Sequence, residues 1–368
     1  MSSMPDAAAM AEDRFSDAAD RDWSREALAR LTADAARTGE TNLLKLNIFS
    51  SSGVDIYLKD ESTHPTGSLK HRLAHSLFVY GICNGWIREG TTVVESSSGS
   101  TAVSEAYFAR LLGLSYVAVV PKSTSLSKVR LIEQFGGVCH LVGDGRHPTA
   151  VAAEIAQRPN HHFIDQFTYA ERATDWRNGL GAIILEQLGH ERYPTPEWVV
   201  LGAGTGGTSA SIGRYIRFRG VPTRLAVVDP EGSAYFDGWK HSGCAVGRGS
   251  RIEGIGRPTV EPSFIGSVVD RMMRVPDAAS IATMRWLDEE AGITAGGSTG
   301  TNVWGCLRLA AEMVSAGRSG SIVSLICDSG RRYANTYYDD DWLAQEGIDI
   351  SGVQDDLHAL LAHDKHSV

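Results

Sequence analysis

Short apolar segments alternate with helical patterns along most of this chain, and this alternation limits the folds that it can adopt. The apolar segments include residues 115–120, 138–142, 225–228 and 322–327. Helices are predicted through residues 128–132 and around residues 150–157, directly after the first two segments. Continuous apolar strands between helices are typical of parallel sheets that helices cover on both faces. The sequence therefore predicts an α/β fold, and 368 residues suffice for two subdomains with a sizeable core.

One lysine has an unusual position within this pattern. Residues 54–58 alternate as a strand does, the Pro-Thr-Gly at residues 65–67 forms a tight turn, and Ser68 is predicted to cap a helix over residues 69–82. Lys70 then lies in the first helical turn, where the positive helix end disfavours a cation. Its amine is expected to lose its proton more easily than that of a surface lysine, and a neutral amine can form a Schiff base. Taken alone, Lys70 would be interpreted as one of many solvated lysines.

A glycine-rich loop provides a second signal. The apolar strand at residues 198–201 leads into residues 202–208, Gly-Ala-Gly-Thr-Gly-Gly-Thr, and a helix is predicted over residues 209–216. Such a turn directs backbone N–H groups and a helix N-terminus at an anion, and its glycines let a phosphate approach.

A hydroxyl-rich loop provides the third signal. Residues 95–102, Glu-Ser-Ser-Ser-Gly-Ser-Thr-Ala, connect the strand at residues 92–94 to another helix. Their backbone and hydroxyl groups suit a small carboxylate. A lysine that forms an imine, a phosphate loop and a carboxylate loop together indicate a site for pyridoxal 5'-phosphate.

These segments resemble the motifs of the fold-type II pyridoxal phosphate enzymes of the cysteine synthase and cystathionine β-synthase family, closest in character to single-domain L-cysteine desulfhydrases. Residues 65–72 are similar to the lysine motif of the family, residues 98–101 to its substrate loop and residues 204–208 to its phosphate loop. Further matches, in the expected order, lie at residues 228–233, 252–256 and 292–300. The resemblance covers roughly residues 41 to 338.

The resemblance implies a tryptophan synthase β-like fold with two three-layer αβα domains and mostly parallel sheets. It places a smaller substrate-loop domain at residues 65–170 and a larger cofactor domain at residues 41–64 plus 171–345. Residues 1–40 are then an N-terminal extension and residues 346–368 a polar C-terminal tail. The cofactor is expected between the two domains, and the family implies a homodimer.

The resemblance also implies the site residues. Lys70 is the catalytic residue and carries the cofactor. The other predicted cofactor-binding residues are Ser100, Gly204, Thr205, Gly206, Gly207, Thr208 and Ser329. The predicted substrate-binding residues are Ser97, Ser98, Gly99, Thr101 and Gln166.

The family resemblance implies a hydroxyl group that faces the pyridine nitrogen of the cofactor, and Ser329 is predicted to provide it. Its neighbour Asp328 is expected to point to the other side of the strand. A neutral serine makes the ring a weaker electron sink than a carboxylate would, which favours β-elimination and β-replacement over transamination.

Two positions depart from the family pattern. Ser100 stands where many members have an asparagine that contacts the ring hydroxyl of the cofactor and the substrate carboxylate, and His64 stands in place of another usual asparagine. The shorter serine leaves room beside the cofactor. His64 and His71 either line the mouth of the site or are structural. Gln166 and Phe167 resemble a pair that helps to hold the substrate carboxylate, although Phe167 is more readily interpreted as structural.

The predicted function is pyridoxal phosphate-dependent β-elimination on L-cysteine, giving pyruvate, ammonia and hydrogen sulfide. The alternative is cysteine synthase-type β-replacement on O-acetylserine or serine. The altered loop and the absence of a recognisable haem-binding segment or regulatory module favour elimination. A minor alternative is an NAD-binding dehydrogenase, because Gly202-x-Gly204-x-x-Gly207 fits the dinucleotide fingerprint and Asp229 follows 22 residues later.

Composition excludes several other classes of function. A formal net charge of −9 and the absence of a basic, aromatic-rich patch argue against nucleic acid binding. No apolar stretch is long enough for a membrane span, and no signal peptide is indicated. The five scattered cysteines are interpreted as buried thiols in a reducing cytoplasm. The pairs His71/His75 and His161/His162 lack a third ligand for a metal.

Overall fold

The computed structural model describes residues 18–241 and 244–365 of the chain. Its strands are β1 (Leu43–Leu46), β2 (Val54–Asp60), β3 (Thr92–Glu95), β4 (Ser115–Pro121), β5 (Val138–Val142), β6 (His161–Phe163), β7 (Trp198–Gly202), β8 (Arg224–Pro230), β9 (Arg271–Val275) and β10 (Gly320–Ile326). Its helices are α1 (Ala18–Thr38), α2 (Lys70–Cys83), α3 (Ser100–Leu112), α4 (Leu126–Gln134), α5 (Pro148–Ile155), α6 (Gln166–Ala173), α7 (Leu180–Leu188), α8 (Gly207–Arg219), α9 (Tyr235–His241), α10 (Asp277–Ala291), α11 (Gly297–Ser315), α12 (Asp340–Gln345) and α13 (Ser351–Lys365). Within these residues, none of the helices has the length and apolarity needed to span a membrane.

The strands form two separate sheets that are almost entirely parallel. The larger sheet has the order β1-β2-β10-β7-β8-β9, in which β1 runs antiparallel to β2 and the other pairs are parallel. The smaller sheet has the order β5-β4-β3-β6, with every pair parallel. The prediction of an α/β fold with mostly parallel sheets is confirmed.

Helices cover both faces of each sheet, because successive side chains of a strand point to opposite faces. In the larger sheet, Ile56 packs in the core formed with α10, α11 and α13, whereas Tyr57 packs with α7 and α8. In the smaller sheet, Val93 packs with α2 and α3, whereas Val94 packs with α5. Each sheet is therefore the middle layer of a three-layer αβα unit.

The strands of the smaller sheet all come from residues 92–163, and the strands of the larger sheet come from both sides of that segment. This arrangement is compatible with a smaller domain at residues 65–170 and a larger domain formed by the flanking segments. The boundaries themselves stay a prediction.

Both ends of the described chain contribute packed helices. In α1, Leu31 is fully buried in the core that also contains α2 and α3. In α13, Leu357 is buried in the core of the larger unit, so the segment predicted as a polar tail supplies an apolar contact. Residues 1–17 of the predicted extension and residues 366–368 lie outside the described residues.

The prediction that all the cysteines are buried thiols is wrong for two of them. Cys306 is fully buried and Cys139 and Cys327 are partly buried, but Cys83 and Cys244 are exposed. Cys83 is exposed because it is the last residue of α2, beyond the part of the helix that packs against the core. All five are free thiols.

Candidate active site

A cavity of about 570 Å³ lies between the two sheets. Strands of both sheets end at this cavity, since Pro121 ends β4, Gly202 ends β7 and Cys327 follows β10 directly, and all three residues line it. In open parallel sheets, ligands bind in the crevice outside the carboxyl ends of the strands. The cavity is therefore the candidate active site.

Most of the residues predicted for the site line this cavity. They are Lys70, Ser97, Ser98, Gly99, Ser100, Thr101, Gln166, Gly204, Thr205, Gly206 and Thr208. The predicted residues Gly207 and Ser329 are not among the lining residues. Gly207 begins α8 behind the glycine loop, where its N–H donates to Thr205 Oγ1 at 3.2 Å.

Main-chain contacts with the end of β10 position Lys70. The N–H of Leu69 donates to the carbonyl oxygen of Cys327 at 2.8 Å, and Ser68 forms an isolated antiparallel bridge with Asp328. Lys70 is the first residue of α2 and lines the cavity. The lysine is thus held between the two units rather than displayed at the surface.

The predicted capping role of Ser68 is wrong. Leu69 occupies the N-cap position of α2, and its side chain makes no capping hydrogen bond. Ser68 Oγ is buried, and no partner for it is found among the described residues. The backbone of Ser68 pairs instead with Asp328 in the larger unit, a tertiary contact that local preference does not predict.

Glycines shape the loop between β7 and α8. A Cβ atom on Gly204 would lie 2.2 Å from the carbonyl oxygen of Gly254, and one on Gly206 would lie 2.5 Å from Cα of Phe264. Gly206 also has a φ of +90°, which L residues rarely adopt. The Tyr235 hydroxyl donates to the carbonyl oxygen of Gly204 at 2.5 Å and fixes the start of the loop. The loop therefore presents bare backbone at the N-terminus of α8, where an anion is favoured.

The hydroxyl-rich loop forms the opposite side of the cavity. Residues 96–101 all line it, and α3 begins within the loop at Ser100. Gly99 is the N-cap of α3, so no side chain occupies the positive end of this helix. Thr101 Oγ1 donates to Gln166 Oε1 at 2.8 Å and links the loop to α6. Hydroxyls, an amide and a helix N-terminus converge here, and together they suit a carboxylate.

A buried carboxyl group that the sequence analysis did not single out holds this loop. Glu95 is fully buried, and its two oxygens accept from the N–H groups of Ser96 at 2.6 Å and Gln166 at 2.9 Å. Burial raises the pKa of Glu95 to about 7, although the two N–H groups oppose the rise. The available signal was an acidic residue at the end of an apolar strand, immediately before the hydroxyl-rich loop.

The segment after β10 presents Asp328 to the cavity, whereas Ser329 is not among the lining residues. Asp328 Oδ2 accepts from the Tyr333 hydroxyl at 2.6 Å, and its Oδ1 is buried without a partner among the described residues. Burial raises the pKa of Asp328. The predicted orientation of Asp328 is wrong, because β10 ends at Ile326 and strand alternation no longer applies beyond it. The role predicted for Ser329 stays a prediction.

An ion pair spans the cavity between the two units. Lys128 Nζ, on α4, lies 2.7 Å from Glu253 Oε1 in the larger unit, and both residues line the cavity. Nearby, the Arg257 guanidinium lies 4.1 Å from the centroid of the Phe167 ring. The sequence analysis did not identify Lys128, Glu253 or Arg257 as individual site residues.

The two histidines near the lysine are structural. His64 and His71 are buried, do not line the cavity and stack on each other with ring centroids 5.1 Å apart. Burial lowers the pKa of His71 to about 3. Across residues 18–241 and 244–365, no group of three or more His, Cys, Asp or Glu side chains is arranged to hold a metal ion.

A buried ion network anchors the helix that begins with Lys70. Glu61 is fully buried, and it accepts hydrogen bonds from His64 at 2.9 Å, Arg72 at 2.6 Å and Thr41 at 2.7 Å. Burial by itself would raise the pKa of Glu61, but the contacts with His64 and Arg72 outweigh it and lower the pKa to about 2. Because Arg72 is two residues after Lys70 on α2, the network fixes the start of this helix.

We expect Glu61→Gln to lower the free energy of unfolding at neutral pH by about 3 kcal/mol, because it removes the buried carboxylate that pairs with the Arg72 guanidinium. The folded-state pKa is below the ordinary value of 4.5, so this stabilisation is present above pH 4.5 and is lost as the pH falls towards about 2. Urea unfolding at several pH values measures the difference from the unmodified protein. Glu133→Gln, at an exposed position, is the control. If the difference in unfolding free energy between the unmodified protein and Glu61→Gln stayed constant down to pH 3, the proposed ion network would be contradicted.

Asp229, which the dinucleotide interpretation predicts to bind a nucleotide ribose, has a different role. Asp229 is fully buried, is not among the residues that line the cavity, and accepts from the N–H of Phe236 at 2.8 Å. Burial raises the pKa of Asp229 to about 6. The dinucleotide interpretation of the glycine loop is therefore not supported, because its acidic residue is used to hold α9.

Three features of the cavity match the requirements of a pyridoxal phosphate site. The glycine loop forms a cradle that a Cβ atom at Gly204 or Gly206 would fill. Lys70 and the hydroxyl-rich loop line the same cavity, and its volume of about 570 Å³ lies within the usual range for cofactor sites. The unpartnered Oδ1 of Asp328 provides a buried polar atom near the lysine.

A sequence profile of the family described as pyridoxal-phosphate dependent enzyme matches residues 36–328. The chain belongs to this family. Membership confirms the predicted cofactor, pyridoxal 5'-phosphate, and the predicted class of enzyme. This pyridoxal-phosphate dependent enzyme is 56% identical over 340 residues to the L-cysteine desulfhydrase Cds1 of Mycobacterium tuberculosis (strain ATCC 25177 / H37Ra), covering 90% of this chain and 92% of the relative.

More distant relatives include synthases. The chain is 27% identical over 331 residues to a cysteine synthase of Dictyostelium discoideum, covering 85% of each chain. The crystal structure of an O-ureido-L-serine synthase superimposes with a TM-score of 0.74 at 26% identity, covering 86% of this chain and 98% of that one. The fold-type II architecture and the resemblance to the cysteine synthase family are confirmed.

Proposed function

We propose that this pyridoxal-phosphate dependent enzyme is a lyase that converts L-cysteine and water into pyruvate, ammonia and hydrogen sulfide. The main support for this proposal is that one cavity is lined by Lys70, by the glycine loop around Gly204 and Gly206 (the glycine cradle), and by the hydroxyl-rich loop at residues 96–101 (the carboxylate loop). The 56% identity with an L-cysteine desulfhydrase supports cysteine as the substrate. The bond that breaks is Cβ–S, and the sulfur leaves as sulfide.

In this proposal, residues 204–208 hold the phosphate through backbone N–H groups at the start of α8, and Lys70 carries the cofactor. When bound, pyridoxal phosphate withdraws electrons from Cα of an attached amino acid, which acidifies the Cα proton and lets a β-substituent leave. Residues 97–101 and Gln166 hold the substrate carboxylate at the N-terminus of α3. Lys70 Nζ is the base that removes the Cα proton. The presence of Lys70 in the same cavity wall as the glycine loop and the hydroxyl-rich loop supports this role.

Cysteine synthesis by β-replacement is the second candidate, favoured by the likeness to synthases. The deciding experiment is incubation with cysteine, serine or O-acetylserine, each with and without sulfide, with pyruvate and cysteine measured. Desulfhydrase function predicts pyruvate and sulfide from cysteine as the main products. If the enzyme makes cysteine from O-acetylserine far faster than it makes pyruvate from cysteine, the desulfhydrase proposal is wrong and the synthase candidate replaces it.

Ser100 is expected to influence the partition between these reactions. Its short side chain leaves space in which water can reach the reacting carbons. We expect Ser100→Asn to give the carboxylate a longer amide partner that also fills this space, a contact worth about 1 to 3 kcal/mol when a charged group takes part. The ratio of cysteine to pyruvate should then shift roughly tenfold towards cysteine when sulfide is supplied. Product analysis with O-acetylserine and sulfide measures this ratio. An unchanged ratio would exclude Ser100 as the determinant.

We also propose that the enzyme is a homodimer that acts in the cytoplasm. The resemblance to the cysteine synthase family supports the dimer, and the five free cysteines are compatible with a reducing compartment. Light scattering coupled to size-exclusion chromatography tests the dimer, and a mass of one chain, 39.6 kDa, would exclude it.

A further inference from the structure

Arg332 connects three segments that meet at the cavity. It lies in the 3-10 turn Gly330–Tyr333, which follows β10 in the larger unit. Its Nη1 donates to Ser100 Oγ at 2.6 Å, and its Nη2 donates to the carbonyl oxygen of Thr66 at 2.5 Å. Ser100 begins the helix that follows the carboxylate loop, and Thr66 belongs to the turn that precedes Lys70. One guanidinium therefore links the hydroxyl-rich loop at residues 96–101 (the carboxylate loop) to the turn at residues 65–67 that precedes Lys70 (the lysine turn).

The charge of Arg332 is not used in an ion pair among the described residues. Its two recorded hydrogen bonds go to a hydroxyl and a carbonyl oxygen, both neutral. Asp328 interacts with Arg332 electrostatically, but its Oδ2 is already bound to the Tyr333 hydroxyl. A cation without an ion-pair partner beside the carboxylate loop makes the site attractive to an anion.

The contact with Arg332 also determines what Ser100 can do. Because Ser100 Oγ accepts from a guanidinium, its own hydroxyl hydrogen must point elsewhere. Ser100 lines the cavity, and Gly99 leaves the adjacent helix end without a side-chain cap. A carboxylate in the cavity at this point would receive the Ser100 hydroxyl hydrogen, polarised by the charge behind it.

We propose that Arg332 is a positioning residue that fixes Ser100 as a hydrogen-bond donor to the α-carboxylate of the substrate and couples this contact to the placement of Lys70. The inference rests on the proposed function, since it assumes an amino acid substrate bound to the cofactor. It assigns the recognition of the carboxylate to the Arg332–Ser100 pair, at the position where Ser100 departs from the asparagine of the family. Arg332 acts through Ser100 and the lysine turn, and it does not need to touch the substrate.

The test compares two amines that differ by one carboxylate. Glycine and methylamine are both primary amines, which react with the aldehyde group of pyridoxal phosphate, and neither has a β-substituent to lose. Titration of the visible absorption band of the cofactor gives a dissociation constant for each. The ratio of the two constants measures carboxylate recognition without requiring turnover.

We expect Arg332→Met to weaken glycine binding about tenfold or more, as for the loss of a charged hydrogen bond, and to change methylamine binding less than about twofold. Ser100→Ala should have a similar effect, and the double variant should be little worse than either single variant. Arg332→Lys should recover part of the loss, because lysine restores the charge but cannot make both contacts. Arg331→Met, at the exposed neighbouring position, is the matched control and should leave both constants unchanged.

Several outcomes would overturn the inference. An unchanged ratio of glycine to methylamine binding in Arg332→Met would exclude the residue from carboxylate recognition, and additive losses in the double variant would show that Arg332 and Ser100 act separately. If Arg332→Met does not fold, Ser100→Ala with the arginine retained makes the same distinction, because an unchanged ratio there is equally decisive. If the unmodified enzyme does not bind glycine more tightly than methylamine, the inference is overturned. The proposed function falls separately, if the enzyme releases no pyruvate and sulfide from cysteine.

Discussion

Replacing Lys70 with alanine is expected to lower the rate of cysteine breakdown by at least about a thousandfold, because it removes both the attachment point of the cofactor and the base for the Cα proton. The folded structure should persist, since the turn before Lys70 is held by main-chain contacts with the end of β10. Sulfide and pyruvate release measure the activity, and thermal unfolding verifies the fold. Lys122→Ala, at an exposed site outside the cavity, is the matched control.

Borohydride reduction of the holoenzyme followed by peptide mapping tests the same assignment without turnover. The label should lie on Lys70. Lys59 is the chemical rival, because burial lowers its pKa, but its Nζ is bound to the carbonyl oxygen of Thr41 and to Gln187 Oε1 outside the cavity. A label on Lys59, or on Lys128 at the cavity wall, would refute the assignment.

Replacing Gly206 with valine is expected to weaken retention of pyridoxal phosphate about a hundredfold or more, the size expected when backbone hydrogen bonds to a charged phosphate are lost. The new Cβ would lie 2.5 Å from Cα of Phe264 and 2.7 Å from the carbonyl oxygen of Ser263, so the loop must move. Absorbance of the bound cofactor during dialysis measures its retention.

Gly220→Val separates this effect from backbone strain alone. Gly220 also has a positive φ, +60°, and lies at the other end of α8, where a Cβ would meet nothing within 4 Å. Both valine variants should lose some stability, but only Gly206→Val should release the cofactor. Asp229→Ala should leave cofactor retention largely intact. Tight NAD binding that is lost in Asp229→Ala would instead support the dinucleotide interpretation.

Local pattern was enough to predict the fold class and much of the candidate site. Continuous apolar segments such as residues 322–327 can be buried on both faces only beneath two layers of helices, so the parallel sheets follow from the pattern. Glycines at residues 204 and 206 and the hydroxyls at residues 96–101 identified loops whose chemistry depends on residue type and on the helix that follows. These features belong to contiguous segments, and contiguous segments can be recognised without knowledge of their neighbours in space.

Contacts between distant segments required the tertiary structure. Ser68 was predicted to cap α2 from local preference, yet it makes no capping hydrogen bond, and its backbone pairs with Asp328, 260 residues away in the chain. Strand alternation also failed for Asp328, because the chain leaves β10 at Ile326.

The sequence by itself determined the α/β class, the reactive lysine segment and the two anion-binding loops, because each depends on local periodicity or on the chemistry of one segment. Only the tertiary structure decided that Glu95 holds the carboxylate loop and that Arg332 joins Ser100 to the lysine turn. Glu95 and Gln166 are 71 residues apart and Arg332 and Ser100 are 232 apart. Such pairs meet because both sheets end at the same cavity, and no local pattern records which strand ends will face each other.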